Sequence, residues 1–299
     1  MNIPTEATAG PRRLIKQAAA LPALIVTGRE SVSIRAGIVF ADVTFNADVP
    51  VSMPEAGLEP GADYVIVAMD LMPFATKLTG PTGDAILGGF HFAPGGNAPG
   101  RSGGDAVPAI NRHSVWDINF RPACPDPRGM ALVEGPAGPF WGDIYLTAKD
   151  HLTNGTSQFG AVIADGDDPP QNPAGGYFRR FDYETALAVM KHHGKGLMSV
   201  TEFFAAAIGV TEKSARNGDP EKTGLDAART SRWGLMQATG NMWAWGHDGD
   251  PDEPRPSVFG GSWIHGSNAG SRYAGLGLWP GRSNENLGAR GRSDHLQLG

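Results

Sequence analysis

Most of the first half of the chain follows the two-residue periodicity of β-strands. Ser31–Asp42 and Val43–Val51 alternate apolar and polar residues, and Ala62–Met69 is a β-branched run. Such patterns predict strands with at least one buried face. Further short strands are predicted at Gly88–Ala93, Trp116–Phe120 and Phe140–Thr147. Short strands separated by turn residues favour a β-rich, sandwich-like N-terminal region over residues 1–165.

The pattern changes after residues 164–176, a segment of aspartate, proline and glycine that we interpret as a linker or a large surface loop. Helical periodicity then appears, and residues 240–299 contain many glycines and tryptophans without a convincing helix. Helices followed by short strands and ordered loops predict an α+β fold. We therefore expect a second, C-terminal domain over residues 175–299.

Two helices are predicted at the start of this second domain. Asp182 is suited to cap a helix that ends near His193. Ser199 and Glu202 have the spacing of a capping box, which predicts a second helix up to Gly209.

Composition and charge exclude several classes of protein. The 299 residues include 42 glycines and 24 prolines without a repeat, which indicates many turns rather than collagen or disorder. A formal net charge of −6 argues against a nucleic-acid partner. The single cysteine, Cys124, excludes an internal disulfide framework. We expect no signal peptide and no membrane insertion, because neither a secretory pattern nor a long apolar run is present.

Patterns of catalytic and cofactor sites are weak. No phosphate-binding glycine motif is present. Asp248, Asp250 and Asp252 have the spacing of calcium ligands, but Glu253 replaces the expected glycine, so a solvated acidic turn is the favoured interpretation. We expect no cofactor, with calcium left open. The sequence has no Gly-x-Ser-x-Gly elbow to serve a nucleophilic triad with His295, which favours a structural role for this histidine.

Four blocks in the C-terminal region carry a specific resemblance: Gly240–Trp245, Phe259–Trp263, Ala269–Arg272 and Leu287–Leu296. The first two resemble the formylglycine-generating-enzyme branch of the C-type lectin fold. All four in this order, together with Phe120–Met130, are similar to the variable proteins of diversity-generating retroelements, above all the major tropism determinants of phage tails. The resemblance implies a C-type lectin-like, variable ligand-binding domain at the carboxyl end.

The resemblance also implies partners and a location. It implies a receptor-binding protein of a phage or prophage tail, which attaches to a protein or other macromolecular receptor on a cell surface. The phage member of the family is a trimer, so a homotrimer is implied here. The expected location is the virion tail, or the cytoplasm before release. A bacterial variable protein without a phage role is an alternative.

An enzyme on the same fold is the other alternative. The formylglycine-generating enzymes need a pair of cysteines near the C-terminus, and this chain has none after Cys124. Ala244 stands where the family block has a glutamate, which argues against the calcium site that some relatives build there. We therefore expect a binding protein rather than an enzyme, with a glycine-rich loop lacking any partner as the plainest alternative.

The four blocks named above supply the predicted scaffold. Trp243, Trp245 and Trp263 are expected to form a core. Arg272 and Arg290 are predicted to hold loops together, through charge-assisted hydrogen bonds to backbone carbonyls or to Asp294.

The residues between these blocks are the predicted ligand-binding positions. In the family such positions descend from asparagine codons mutated at adenine, and Trp263, Trp279 and Glu285 are not reachable in this way, so we treat them as fixed. A solvent-exposed segment would favour binding, whereas a histidine converging with carboxylates in a deep pocket would favour catalysis. The predicted ligand-binding residues are Ser262, Ile264, His265, Gly266, Asn268, Tyr273, Gly275, Leu276, Gly277, Leu278, Arg282, Asn284 and Asn286.

Overall fold

The alternating segments at the start of the chain form short paired strands. The computed structural model describes residues 14–40, 42–69, 72–77, 86–96 and 104–297. Its first strands are β1 (Leu14–Ile15), β2 (Leu24–Val26), β3 (Val32–Ile34), β4 (Ile38–Phe40), β5 (Val43–Phe45) and β6 (Val49–Pro50). β1, β4 and β5 form one antiparallel sheet, and β2, β3 and β6 form another. Each of the two predicted strands in this region is therefore divided, the first at Gly37, whose φ of 79° ends an extended strand.

Eight further strands follow in the described part of the chain, and the longest of them cover the apolar core of this region. They are β7 (Ala62–Met69), β8 (Met72–Lys77), β9 (Ile86–Ala93), β10 (Ala109–Ile110), β11 (Trp116–Asp117), β12 (Phe120–Pro122), β13 (Met130–Gly135) and β14 (Gly138–Asp143). The β-branched run of β7 is a strand, as predicted, and pairs antiparallel with β8 and β9. Ile34, Phe40 and Phe90 belong to one buried cluster, so the two small sheets pack against the larger one.

The described residues include three α-helices, α1 (His151–Asn154), α2 (Tyr183–His192) and α3 (Val200–Ala206), with strand β15 (Gly196–Leu197) between the last two. Helices α2 and α3 begin where the sequence predicts, whereas α1 was not predicted. The side chain of Asp182 accepts a hydrogen bond from the backbone N–H of Thr185 at 3.0 Å. Ser199 and Glu202 form the predicted capping box, although α3 ends before Gly209.

The carboxyl end completes two sheets. Its strands are β16 (Trp243–His247), β17 (Pro256–Phe259), β18 (Ala274–Gly275), β19 (Leu287–Ala289) and β20 (Gly291–Gln297). Within the described ranges, four strands form a sheet in the order β18-β17-β16-β19, with β16 and β19 parallel. β20 joins a ten-stranded sheet of the described residues, in the order β13-β14-β20-β12-β11-β9-β7-β8, with β10 on β9 and β15 on β20.

β20 connects the two halves of the chain. Its residue Leu296 pairs with Arg121 of β12, and Asp294 pairs with Phe140 of β14. The predicted domain boundary near residue 165 stays a prediction, and the large sheet runs across it. No helix in the described part of the chain is both long and apolar enough to cross a membrane.

Candidate functional site

The predicted ligand-binding residues all lie between β17 and β19, on residues 260–286, which we call the face segment. Its exposed apolar residues include Ile264 and Leu276, with 55% and 58% of their surfaces accessible. The other predicted residues are Gly266, Asn268, Gly277 and Arg282, which are exposed, His265, Tyr273, Gly275, Leu278 and Asn284, which are half-buried, and Ser262 and Asn286, which are buried. The segment therefore presents most of these residues to solvent and keeps two beneath.

The two buried residues support the face segment from below. The Oγ of Ser262 lies 2.7 Å from Nδ1 of His265 and accepts a hydrogen bond from Nδ2 of Asn286 at 3.3 Å. The indole N–H of Trp243 donates to Nε2 of His265 at 3.3 Å. Because these side chains are buried and bonded to each other, Ser262 and Asn286 are not accessible to a partner in this conformation. This corrects their assignment as contact residues.

Backbone hydrogen bonds fix the middle of the face segment. The carbonyl of Tyr273 accepts from the N–H of Gly260 at 2.8 Å, and its hydroxyl donates to the carbonyl of Ser267 at 3.0 Å. Immediately afterwards, Gly275 in β18 pairs with Val258 in β17. The shape of this part thus depends on backbone groups and on one tyrosine.

The next turn carries a large exposed aromatic residue. Leu278 is half-buried and packs against the cluster that contains Phe181 and Trp245. Trp279, which follows it, is 67% exposed. Trp279 is not among the predicted ligand-binding residues, because the codon argument treats it as fixed. That argument concerns which positions vary and does not predict which side chains are exposed.

A loop that precedes α2 in the chain supports the end of the face segment. The N–H of Gly166 donates to the carbonyl of Asn284 at 3.0 Å, and a Cβ at Gly166 would lie only 2.4 Å from the nitrogen of Asn284. The loop holds its shape because Oδ1 of Asp165 accepts from the N–H groups of Asp167 and Asp168. Burial raises the pKa of Asp165 to about 6, although these two hydrogen bonds oppose the shift; the like charges of Asp168 and Asp219 add to it. Sequence reasoning missed this support, because the contact joins residues far apart in the chain.

The three scaffold tryptophans differ in burial. Trp245 is fully buried, and its indole N–H donates to the carbonyl of Phe181 at 3.1 Å. Trp243 is half-buried and meets the ring of His265 edge to face, with 5.1 Å between centroids. Trp263 is also half-buried, and it packs against the small cluster that contains Met242. Trp243 and Trp245 precede the face segment and Trp263 lies within it, and the three do not form one common core.

Arg290 and Arg272 have opposite environments. The guanidinium of Arg290 is buried and donates to four backbone carbonyls: those of Asp143 and Ile144, both at 2.7 Å, of Met236 at 2.5 Å and of Gln237 at 3.3 Å. Burial lowers the pKa of Arg290 to about 10, so it remains charged at neutral pH. Arg272 is exposed and makes no hydrogen bond or ion pair with any described residue.

The predicted bridging role of Arg272 is therefore wrong, and so is the predicted partner of Asp294. The carboxylate of Asp294 pairs with Arg292 at 2.5 Å, and its side chain is largely exposed. Arg292 also binds Glu202 of α3 at 2.6 Å. Arg292 was not among the arginines considered in the sequence, and it pairs with Asp294 because both side chains lie on β20 two residues apart.

A buried ion pair lies beside Arg290. The Nζ of Lys195 lies 2.6 Å from Oδ1 of Asp143 and donates to the hydroxyl of Thr156 at 2.8 Å. The other oxygen of Asp143 accepts from Thr156 and from the N–H of Gly291. These bonds connect β14, β20 and the segment after α2. No sequence pattern predicted this pair.

The described residues show few features of a catalytic or metal-binding site. The carboxylate of Asp248 accepts from the backbone N–H groups of Asp250 and Arg255, so the acidic turn is closed by its own backbone. Across the described ranges, no group of three or more histidine, cysteine or acidic side chains is placed to hold a metal ion. The expectation of no cofactor, with calcium left open, stays a prediction. Nδ1 of His295 accepts from the indole N–H of Trp141 at 3.0 Å, consistent with the structural role expected for it.

Comparison with known proteins shows which family the chain belongs to. It is 39% identical over 320 residues to the tail fiber receptor-binding protein of Bordetella phage BPP-1, with 91% of this chain and 82% of that protein covered. The family described as Mtd second domain matches residues 22–117. The chain belongs to the Major Tropism Determinant family.

Solved structures of this family share the fold. The I1 variant of the Major Tropism Determinant matches with a TM-score of 0.87 at 37% identity, over 96% of this chain and 87% of that one. The U1 variant matches with a TM-score of 0.85 at 37% identity, over 95% and 86%. The resemblance found in the sequence is thereby confirmed, and the fold is the β-rich one of the Major Tropism Determinants.

Proposed function

We propose that this chain is a receptor-binding protein of a phage or prophage tail, and that its face segment contacts a protein or other macromolecular receptor on a cell surface. One observation carries the proposal. Ile264 and Leu276 expose more than half of their surface on a segment whose backbone is bonded to strands on both sides. Exposed apolar side chains on a rigid surface are typical of binding sites.

The same geometry supports a C-type lectin-like, diversified domain at the carboxyl end. Side chains that point to solvent can be exchanged without loss of the fold, because they take no part in the buried hydrogen bonds of Arg290 or Ser262. In the genome, we expect a near-identical repeat of the last hundred or so bases that differs mainly at adenines, beside a reverse transcriptase gene. A genome without such a template contradicts diversification and leaves the binding proposal standing.

An enzymatic role is disfavoured by the side chains themselves. The ring nitrogens of His265 face Ser262 and Trp243, neither of which is a carboxylate. Cys124 is buried, and burial raises the pKa of its thiol, which makes it a poor nucleophile and a poor metal ligand. The tail fiber relative is named for receptor binding rather than for a reaction.

Several copies of the face segment on one tail would bind a receptor surface more tightly than one copy. We propose a homotrimer on the virion tail, in which modest affinity per copy is raised by simultaneous attachment. Sedimentation equilibrium of the full chain tests the trimer, and a monomer at micromolar concentration contradicts it.

Binding of the labelled full chain to host cells tests the function. The triple variant Ile264→Ser, Leu276→Ser and Arg282→Ser removes exposed contacts, and we expect at least tenfold weaker binding. A matched variant, Leu21→Ser with Met72→Ser, changes exposed apolar residues far from the face segment in sequence and should bind normally. Equal binding by the parent and the triple variant contradicts the assignment of the face.

A further inference from the structure

We infer that Trp279 is the principal anchor of the face segment, inserting its indole into an apolar cleft of a protein receptor. The inference rests on the proposed function and adds a residue that the predicted site omitted. At 67% exposure, Trp279 is, with Met72, among the most exposed large apolar side chains of the described residues. Tryptophan buries a large area per side chain and is enriched among residues that dominate binding energy.

The indole is held in place by the backbone beneath it. An ideal Cβ at Gly281 would lie 2.7 Å from Cζ2 of Trp279 and 2.9 Å from Cη2. The ring therefore rests directly on the glycine, and any larger residue at position 281 would displace it. Because this contact restricts the rotamers open to the ring, binding loses less conformational entropy than it would with a freely rotating side chain.

The turn that carries Trp279 is fixed at several points. The N–H of Arg282 donates to the carbonyl of Trp279 at 3.2 Å, which closes the turn. The N–H of Leu278 donates to Pro256 in β17 at 2.8 Å, and the N–H of Tyr183 in α2 donates to Pro280 at 3.0 Å. The residues on both sides of Trp279 are thus attached to regular elements of the fold.

The surroundings of Trp279 favour a protein receptor. The aliphatic side chain of Leu276, three residues before Trp279, is 58% exposed and gains from an apolar cleft rather than from the hydroxyls of a polysaccharide. The indole N–H makes no hydrogen bond with any described residue, so it is free to donate to a carbonyl at the rim of such a cleft.

Two display libraries of the full chain test the inference. Both are randomised at Ile264, Tyr273, Leu276, Arg282 and Asn284, and they differ only in keeping Trp279 or carrying Trp279→Ala. Each is selected against purified lysozyme, ovalbumin and carbonic anhydrase, with dextran as a polysaccharide probe. A third library with Met72→Ala is the matched control, because Met72 is equally exposed.

We expect the best protein binders with Trp279 to have at least tenfold lower Kd than those with Trp279→Ala, and the Met72→Ala library to match the parent. Equal affinities from the first two libraries overturn the inference and leave the proposed function intact. If Trp279→Ala weakens only the binders of dextran, the inference of an apolar cleft on a protein receptor is wrong. If no library yields binders to any probe, the proposed function itself fails, and the inference fails with it.

Gly281→Ala tests the placement of the ring separately. In a selected binder, this change should weaken binding severalfold while circular dichroism and Tm stay close to the parent values. The exposed fraction of Trp279 is retained, so a loss of affinity reports the position of the indole. Unchanged affinity contradicts the role of Gly281 as a positioning residue.

Discussion

The framework around Arg290 and the face segment are adjacent in the fold and are built on opposite principles. In the framework, buried side chains hold backbone groups, as when Arg290 donates to the carbonyls of Ile144 and Met236. In the face segment, backbone groups hold the chain in place and leave side chains such as Leu276 in solvent. A surface of this kind can change its exposed side chains, because its shape depends on backbone groups and on a few side chains such as Tyr273 and Ser262.

Removal of the Arg290 guanidinium is expected to have the largest effect. Arg290→Met leaves four buried carbonyls without their donor, and we expect the free energy of unfolding to fall by about 3–5 kcal/mol in chemical denaturation. Arg290→Lys should recover part of the loss. The matched control is Arg272→Met, which should change stability by less than about 0.5 kcal/mol because Arg272 is exposed. Similar losses at both positions would contradict the contrast between the two regions.

Neutralising the buried aspartate is expected to come next. Asp143→Asn leaves the ammonium of Lys195 buried without its counter-charge, and we expect a loss of about 3 kcal/mol in the same measurement. Asp294→Asn breaks an exposed pair with Arg292 and should cost less than about 1 kcal/mol. If the two variants were equally stable, the buried pair would not support the framework.

For the loop of Asp165, which supports Asn284, we expect a smaller effect on the free energy of unfolding, and this effect depends on pH. The pKa of Asp165 is about 6 in the folded chain against an ordinary value of 3.8, so between about pH 4 and 6 the folded state binds more protons than the unfolded state. This contribution to the free energy of unfolding therefore falls as pH rises through that window.

Asp165→Asn keeps the acceptor Oδ1 and removes the charge. At pH 7 we expect the variant to be more stable than the parent by about 1 kcal/mol, with the difference vanishing near pH 4. Asp167→Asn changes an exposed neighbour and is the control. A stability difference for Asp165→Asn that is the same at pH 4 and pH 7 would show that the buried charge is not its cause.

Substitution on the face itself should have the smallest effect on stability. Ile264→Ser with Leu276→Ser changes two side chains that are more than half exposed, so we expect less than about 0.5 kcal/mol by chemical denaturation. Ser262→Ala is the buried counterpart, and its loss of a hydrogen bond to His265 should cost about 1 kcal/mol. A larger loss on the surface than at Ser262 would mean that the side chains shape the face.

Local signals in the sequence determined the features that depend on neighbouring residues. The caps at Asp182 and Ser199 need only residues within one helical turn, so both helices begin as predicted. The family resemblance of the tryptophan and glycine blocks predicted ligand-binding positions between Phe259 and Leu287, and that assignment stays a prediction.

The tertiary structure decided which side chain meets which partner. Arg272 and Arg290 both follow small residues in similar blocks, and only the packing of β20 against β14 buries one of them. Burial of Ser262, exposure of Trp279 and support by Gly166 likewise arise from chain segments that are distant in sequence. A one-dimensional pattern records which residues are apolar or polar, whereas burial and pairing depend on what the rest of the fold brings to each position.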